Sequence, residues 1–326
     1  MKGFFLMEQL YPCVIFNDIT KGGVCQEKIK EQLQILNKRK TEQEKIIPII
    51  LTAWKENKLY SEEKQKRLED CGSIIGFNEH GEMSSANFCK DKLCPICQWR
   101  KSRRVFGEIM QIQKIVENNI SDFALLTLTL KNTNSLSEGI CDIMKGFYNF
   151  SNNRTFKKVS EGYIRTVEIT YNNKLNNWHP HIHLVVALKE NYYSENFIKT
   201  EKWSDIWGRS ARLDYAPIVD MRAIGQSLQM REKAVAEVAK YAIKPFQTKG
   251  DINAELNAYI GLYGGTKNRR LRSFGGIYAK ARKLVPERDE VDLNGSCEIF
   301  FRRESGEYVN TQVNIRQTEI CQMERE

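Results

Sequence analysis

Four histidines occur among the 326 residues, and three of them stand at alternate positions in one run, Trp178-His179-Pro180-His181-Ile182-His183-Leu184-Val185-Val186. Alternation followed by apolar, β-branched residues is the pattern of a buried strand. Alternate side chains of a strand point to one face, so His179, His181 and His183 project together, with neighbours about 6–7 Å apart. Two imidazoles at that spacing can meet on one metal ion lying between them. A chance row of histidines on a sheet face, one buttressed by a neutral hydrogen bond, is the plain alternative. The run therefore demands a sheet, and the most informative question is what stands opposite it.

Tyr163 to Tyr171 also alternates and is rich in strand formers, and the Asn-Asn-Lys-Leu-Asn-Asn run that follows is turn chemistry. A hairpin centred between Lys174 and Leu175 sets Glu168 directly opposite His181, where Cβ atoms on one face lie about 4.5–5.5 Å apart. Glu168, His181 and His183 then form a two-histidine, one-carboxylate site with open positions. A slip of one residue would turn Glu168 to the other face.

Composition narrows the class. The chain carries 50 Lys and Arg against 41 Asp and Glu, a formal charge of +9, which favours a polyanionic partner, most simply nucleic acid. It has no apolar run of 18 residues, so no transmembrane helix and no membrane partner are expected. An acidic residue falls too early at the start for a secretory signal. Nine cysteines, four of them close together, fit metal thiolates in a reducing cytoplasm better than disulfides.

In chain order, residues 1–70 read as a charged helical arm: a helix from Gln26 to Lys45, a break at Pro48, and a helix capped by Ser61. Residues 71–118 form a cysteine-rich module and a basic helix. Cys94-Pro95-Ile96-Cys97, with Cys89 and Cys71 upstream, matches a four-thiolate structural Zn²⁺ site, and His80 is the alternative to Cys71. Arg100, Lys101, Arg103 and Arg104 follow the knuckle at once and suit phosphate contacts. Residues 119–284 hold the strands, beginning with Phe123 to Leu130, then helix over 139–159, the histidine hairpin, a helix over 195–208 with Trp203 and Trp207 in the core, and a strand over 214–222. A helix from Met230 to Ile243, stopped by Pro245, carries Glu237 and Tyr241 one turn apart, with Lys240 and Lys244 near them. Lys267, Arg269 and Arg270 lie in a basic, glycine-containing loop that suits a nucleic-acid backbone. No Gly-x-x-x-x-Gly-Lys-Ser/Thr loop occurs. Residues 285–326 read as a hairpin around 304–307 and a loose tail.

Three blocks stand in order: Leu126-Thr127-Leu128-Thr129, His179-Pro180-His181-Ile182-His183, and Glu237-Val238-Ala239-Lys240-Tyr241-Ala242-Ile243-Lys244. With the cysteine block ahead of them, this resembles the single-tyrosine plasmid rolling-circle replication initiators, Rep proteins of the HUH endonuclease superfamily, from about Cys71 to Gly276. The resemblance implies an α+β fold, with a core of roughly five antiparallel strands and flanking helices beside the zinc knuckle and the helical arm. It implies His181 and His183 as ligands of Mg²⁺ or Mn²⁺, with Glu168 or His179 completing the set. Tyr241 becomes the nucleophile, with Glu237 and Lys244 assisting. Single-stranded or hairpin origin DNA, a host helicase and a DNA polymerase become the partners, and a homodimer one assembly. A relaxase or single-tyrosine transposase of the same superfamily shares this chemistry. A zinc-dependent DNA-binding regulator leaves the histidines idle, and an iron oxygenase leaves the basic surface unexplained.

Overall fold

The computed structural model describes residues 22–78, 80–172, 174–239, 252–286 and 299–311. In chain order these form helices α1 (Gly22–Glu56) and α2 (Glu62–Asp70), strands β1 (Ile74–Phe77) and β2 (Met83–Ala86), and helix α3 (Pro95–Glu117). Then come β3 (Phe123–Thr129), α4 (Leu136–Asn152), α5 (Arg154–Val159), β4 (Ser160–Asn172) and β5 (Asn177–Leu188). The chain goes on through α6 (Thr200–Ala211), β6 (Val219–Ile224), α7 (Leu228–Ala239) and α8 (Ile252–Gly265). It ends with β7 (Arg272–Gly276), α9 (Ile277–Arg282), β8 (Ile299–Glu304) and β9 (Glu307–Thr311). The class is α+β. No helix among the described residues is long and apolar enough to cross a membrane.

The chain divides into two compact units. One contains residues 1–51, 59–103 and 287–326; its sheet is antiparallel in the order β2-β1-β8-β9. The segments expected as arm, cysteine module and C-terminal hairpin thus contribute to one unit, because β8 pairs with β1 from Ile74↔Arg302 to Phe77↔Ile299. Ser61 does cap α2, its hydroxyl accepting from the Lys64 amide. Pro48 does not break the first helix; it lies inside α1. An interior proline costs about 3 kcal/mol. Ile50, Ala53 and Trp54 on the next turns are buried, and burying such side chains contributes about 1.5–3 kcal/mol for each large one, enough to offset that cost.

The other unit contains residues 52–58 and 104–286, built on a five-stranded antiparallel sheet in the order β6-β3-β5-β4-β7. Alternation gives the sheet two distinct faces. One face carries Leu126, Leu184 and Val186 towards an aromatic layer in which Phe150 packs against Phe156, Trp203 and Trp207. On the other, Phe123, Ile164 and Val185 pack with Ile109, Val235, Val238 and Tyr278 from the helices that cover it. The apolar residues occupy one end of that second face. Thr127, Thr129, Thr166, Glu168, His181 and His183 occupy the other end by register.

Some boundaries differ from those expected. The helix over 139–159 is two helices, broken where Asn153 caps α5 with its side chain. The strand expected at 214–222 begins only at Val219, after Pro217, which cannot donate to a ladder. Gly264 and Gly265 end α8 rather than opening the basic loop. The turn of the C-terminal hairpin is Ser305-Gly306, as its glycine suggests.

Candidate active site

The β4–β5 hairpin pairs Asn172↔Asn177, Glu168↔His181 and Thr166↔His183, which centres it between Lys174 and Leu175. Glu168 therefore faces both histidines. Its Oε2 lies 3.1 Å from His181 Nε2 and 2.8 Å from His183 Nε2, and the three donor groups lie within 4.8 Å of one another. Glu168 is 2% exposed, so this carboxylate lies away from water. His183 Nδ1 is 3.1 Å from the Thr127 hydroxyl, on the strand that pairs with β5 from the other side.

The hydrogen bonds set the chemistry. His181 Nδ1 sits 3.4 Å from the His179 carbonyl oxygen and its Nε2 faces the Glu168 carboxylate, so each ring nitrogen has an oxygen partner. Two imidazole nitrogens and a carboxylate oxygen, held from behind by a hydroxyl and a carbonyl, form a ligand set suited to a divalent ion. His179 stands outside the group: its Nδ1 donates to Asn132 Oδ1 at 2.9 Å, and its pKa is lowered by burial and by the neighbouring His181.

The second cluster joins Cys71, Cys89, Cys94 and Cys97. Sulfur separations are 3.7 Å for Cys71 to Cys94, and 3.6 Å for both Cys71 to Cys97 and Cys89 to Cys97. A tetrahedron with Zn–S bonds of about 2.3 Å has edges of about 3.8 Å, so the spacing fits four thiolates on one ion. Pro95 starts α3, which places Cys94 just before the helix and Cys97 in its first turn, where the N-terminal amides favour anionic sulfur. Gly72 has φ +71°, and a Cβ there would come 2.9 Å from Ile96 Cδ1, so the turn beside Cys71 requires glycine. His80 is exposed and not in the group.

The chain matches the family model described as Replication protein over residues 80–316. The chain belongs to the Replication protein family. It is similar to a protein named Protein rep from Streptococcus pneumoniae, 34% identical over 238 residues, covering 69% of this chain and 73% of that one. It is also similar to a Protein rep from Bacillus amyloliquefaciens, 30% identical over 279 residues, covering 74% and 82%. No solved structure matches. The matched segment of this Replication protein family member includes the whole histidine hairpin and three of the four clustered cysteines, Cys89, Cys94 and Cys97.

Other expected site residues are distributed more widely. Lys240, Tyr241 and Lys244 lie outside the described residues. Glu237 is half-buried near the end of α7. Arg103 is half-buried with its guanidinium over Trp99, and burial lowers its pKa. Arg100 lies over Phe88, while Lys101, Arg104, Lys267 and Arg270 are exposed. Arg269 donates to the Ser137 carbonyl at 2.9 Å and its hydroxyl at 2.7 Å. Tyr263 is buried against Trp54.

Sequence reasoning missed the supports. Thr166 Oγ1 donates to the Val238 carbonyl at 2.6 Å, and Arg272 Nε reaches the same carbonyl at 3.2 Å. Thr166 is on the face that carries Glu168, so the C-terminal end of α7 is held beside the cluster. The Thr alternation in β3 was the available signal for Thr127; nothing local marked Arg272.

Proposed function

We propose that the chain is a plasmid rolling-circle replication initiator that nicks one strand of origin DNA. The observation that carries this is the Glu168–His181–His183 group on two adjacent strands of the five-stranded sheet, in a member of the Replication protein family. These three residues would hold Mg²⁺ or Mn²⁺, which when bound neutralises a scissile phosphate and polarises its P–O bond. The four cysteines would hold a structural Zn²⁺.

Tyr241 is the nucleophile in this reading. It follows two residues after Ala239, whose helix end is fastened to Thr166 and Arg272. Its phenolic oxygen bonds to phosphorus as the bond from phosphorus to the 3′ oxygen breaks. The phenolic proton leaves to a base, the 3′ oxygen takes up a proton, and the products are a 5′-phosphotyrosine and a free 3′-hydroxyl. A phenol of pKa near 10 is a weak nucleophile at neutral pH, and Lys240 and Lys244 stabilise the developing phenolate. One phosphodiester replaces another, so the same residues can rejoin ends. Glu237, four residues before Tyr241 in sequence, acts as general base on water when the last step is hydrolytic. The free hydroxyl primes a host polymerase, and a host helicase unwinds the duplex.

The test is cleavage of single-stranded DNA carrying the cognate origin hairpin, with Mn²⁺ or Mg²⁺, comparing wild type with Tyr241→Phe on a denaturing gel. A metal-dependent protein–DNA adduct, absent in Tyr241→Phe, is expected. An adduct that persists in the variant moves the nucleophile elsewhere. No cleavage of a verified origin leaves a non-catalytic DNA-binding regulator.

A further inference from the structure

The unit that carries the histidines also has a groove of about 910 Å³. Its walls are residues 130–133 after β3, the exposed side of α4, and residues 210–215 at the end of α6. Its frame is built rigidly. Gly146 brings α4 against α6 so closely that a Cβ would lie 2.9 Å from both Trp207 and Ala211. Asn149 donates to the Ser210 carbonyl at 2.9 Å, and Trp207 Nε1 to the Thr129 carbonyl at 2.7 Å. Side chains of α4 and α6 thus tie three elements together around the groove.

The lining mixes apolar, amide and aromatic side chains with an excess of cations. Lys131, Lys145 and Arg212 bring three cations from three separate elements, against one carboxylate, Asp142. Tyr148 is 70% exposed, an unusual place for a large ring, and lies on the same wall. The Lys131 ammonium sits 4.0 Å over the Tyr215 ring, and the Tyr215 hydroxyl accepts from the Lys131 amide at 2.8 Å. Cations with interleaved aromatic rings are what an unpaired nucleic-acid strand requires: phosphates meet the charges, and bases stack on the rings. A duplex, with its bases already stacked, has no free base face to offer Tyr148.

The groove lies on the sheet face that carries the aromatic layer, opposite the cluster, and its 130–133 loop meets the cluster at the end of the sheet. Thr129, the last residue of β3, pairs with His181, so the groove loop leaves the sheet at the end where the cluster stands. Asn132 in the groove wall accepts from His179 at 2.9 Å, and the His179 ring is 5.4 Å from that of His181. We infer that this groove binds the single strand flanking the scissile phosphate, with Lys145 and Arg212 on its backbone, Tyr148 stacked on a base, and Asn132–His179 at the threshold of the site. This rests on the reading of the chain as a DNA-nicking enzyme and adds to it the path of the substrate.

The experiment is fluorescence anisotropy of the full chain with a labelled single-stranded 20-mer of mixed sequence, without added Mg²⁺ or Mn²⁺, over a range of salt. The Lys145→Ala/Arg212→Ala double variant is expected to bind several-fold more weakly and to flatten the salt slope by about 0.7 for each phosphate it no longer neutralises. Tyr148→Ala is expected to weaken binding about fivefold or more with the slope unchanged. All three side chains are exposed, and a thermal melt equal to wild type certifies each fold. Wild-type affinity and slope in both variants would overturn the groove, as would an iodouracil crosslink mapping to peptides away from 130–149 and 210–215. The two readings separate cleanly. An adduct at Tyr241 with unaltered groove variants sinks the groove alone. Weakened binding in the variants without any adduct from wild type sinks the nicking alone.

Discussion

The two ligand clusters of this chain are held in place by opposite means. Glu168, His181 and His183 stand on paired strands, where the register alone aims all three at one point. Their positions follow from backbone hydrogen bonds that form with or without an ion. The cysteines come from the turn after α2, the connection after β2 and the first turn of α3. Asn87 joins the turn to the connection by hydrogen bonds, three of the sulfur separations are 3.6–3.7 Å, and all four sulfurs lie within 4.8 Å of one another. The first cluster supplies three groups, fewer than the four of the second. The second is closed. A preformed, open site suits reaction, and a closed site assembled from loops suits stapling.

The comparison breaks first, and with the largest effect, at the cysteines. Cys94→Ser is expected to lose the ion and with it much of the folding free energy that a structural zinc contributes, of order 10 kcal/mol in small peptides. Limited proteolysis should then cut within residues 59–103 while the unit containing the five-stranded sheet resists. If the variant melts and resists protease like wild type, the cluster is not a staple.

The histidine cluster should respond in the reverse way. Thr127→Val keeps shape and strand propensity but removes the hydroxyl behind His183 Nδ1. The expected result is an unchanged melting temperature and about a 10–100-fold rise in the Mn²⁺ concentration giving half-maximal adduct, the usual cost of removing an outer partner. An unmoved midpoint would mean that the register orients His183 unaided.

This contrast also explains what could be read in the sequence. The turn run between two alternating strands is symmetric about Lys174 and Leu175, so the partner of His181 followed from local pattern, and the five-stranded antiparallel core followed with the resemblance. The grouping of Cys94 with Cys97 was legible for the same reason, since a turn and a helix start are local. The pairing of β8 with β1 was not, because it joins residues more than 200 positions apart and neither strand records its partner. Thr166 and Arg272 escaped likewise: each acts on a helix carbonyl brought to it by tertiary packing. Pro48 misled because a local penalty was weighed without the burial of Ile50 and its neighbours.

Lys40 offers the smallest and most discriminating test. It is 4% exposed, and its ammonium donates to the Glu69 carbonyl at 2.5 Å and to Gln43 Oε1 at 2.9 Å, both neutral oxygens. The same Gln43 donates to the Leu68 carbonyl at 2.6 Å and reaches Cys94 Sγ at 3.6 Å. Burial lowers the Lys40 pKa, and the nearby Cys71 acts to raise it. A buried ammonium whose hydrogen-bond acceptors are neutral is costly; the Glu44 carboxylate offsets part of that cost, and four thiolates around one Zn²⁺ would offset more with a net charge of −2. Lys40→Met should therefore leave the metal-free protein as stable as before, or more so, and weaken zinc about 10-fold in competition with a chromophoric chelator. Lys40→Arg should recover part of that loss because it restores the charge. Equal zinc affinity in Lys40→Met would show that the charge of the closed site is balanced elsewhere, and that the lysine is buried for a reason unconnected with the metal.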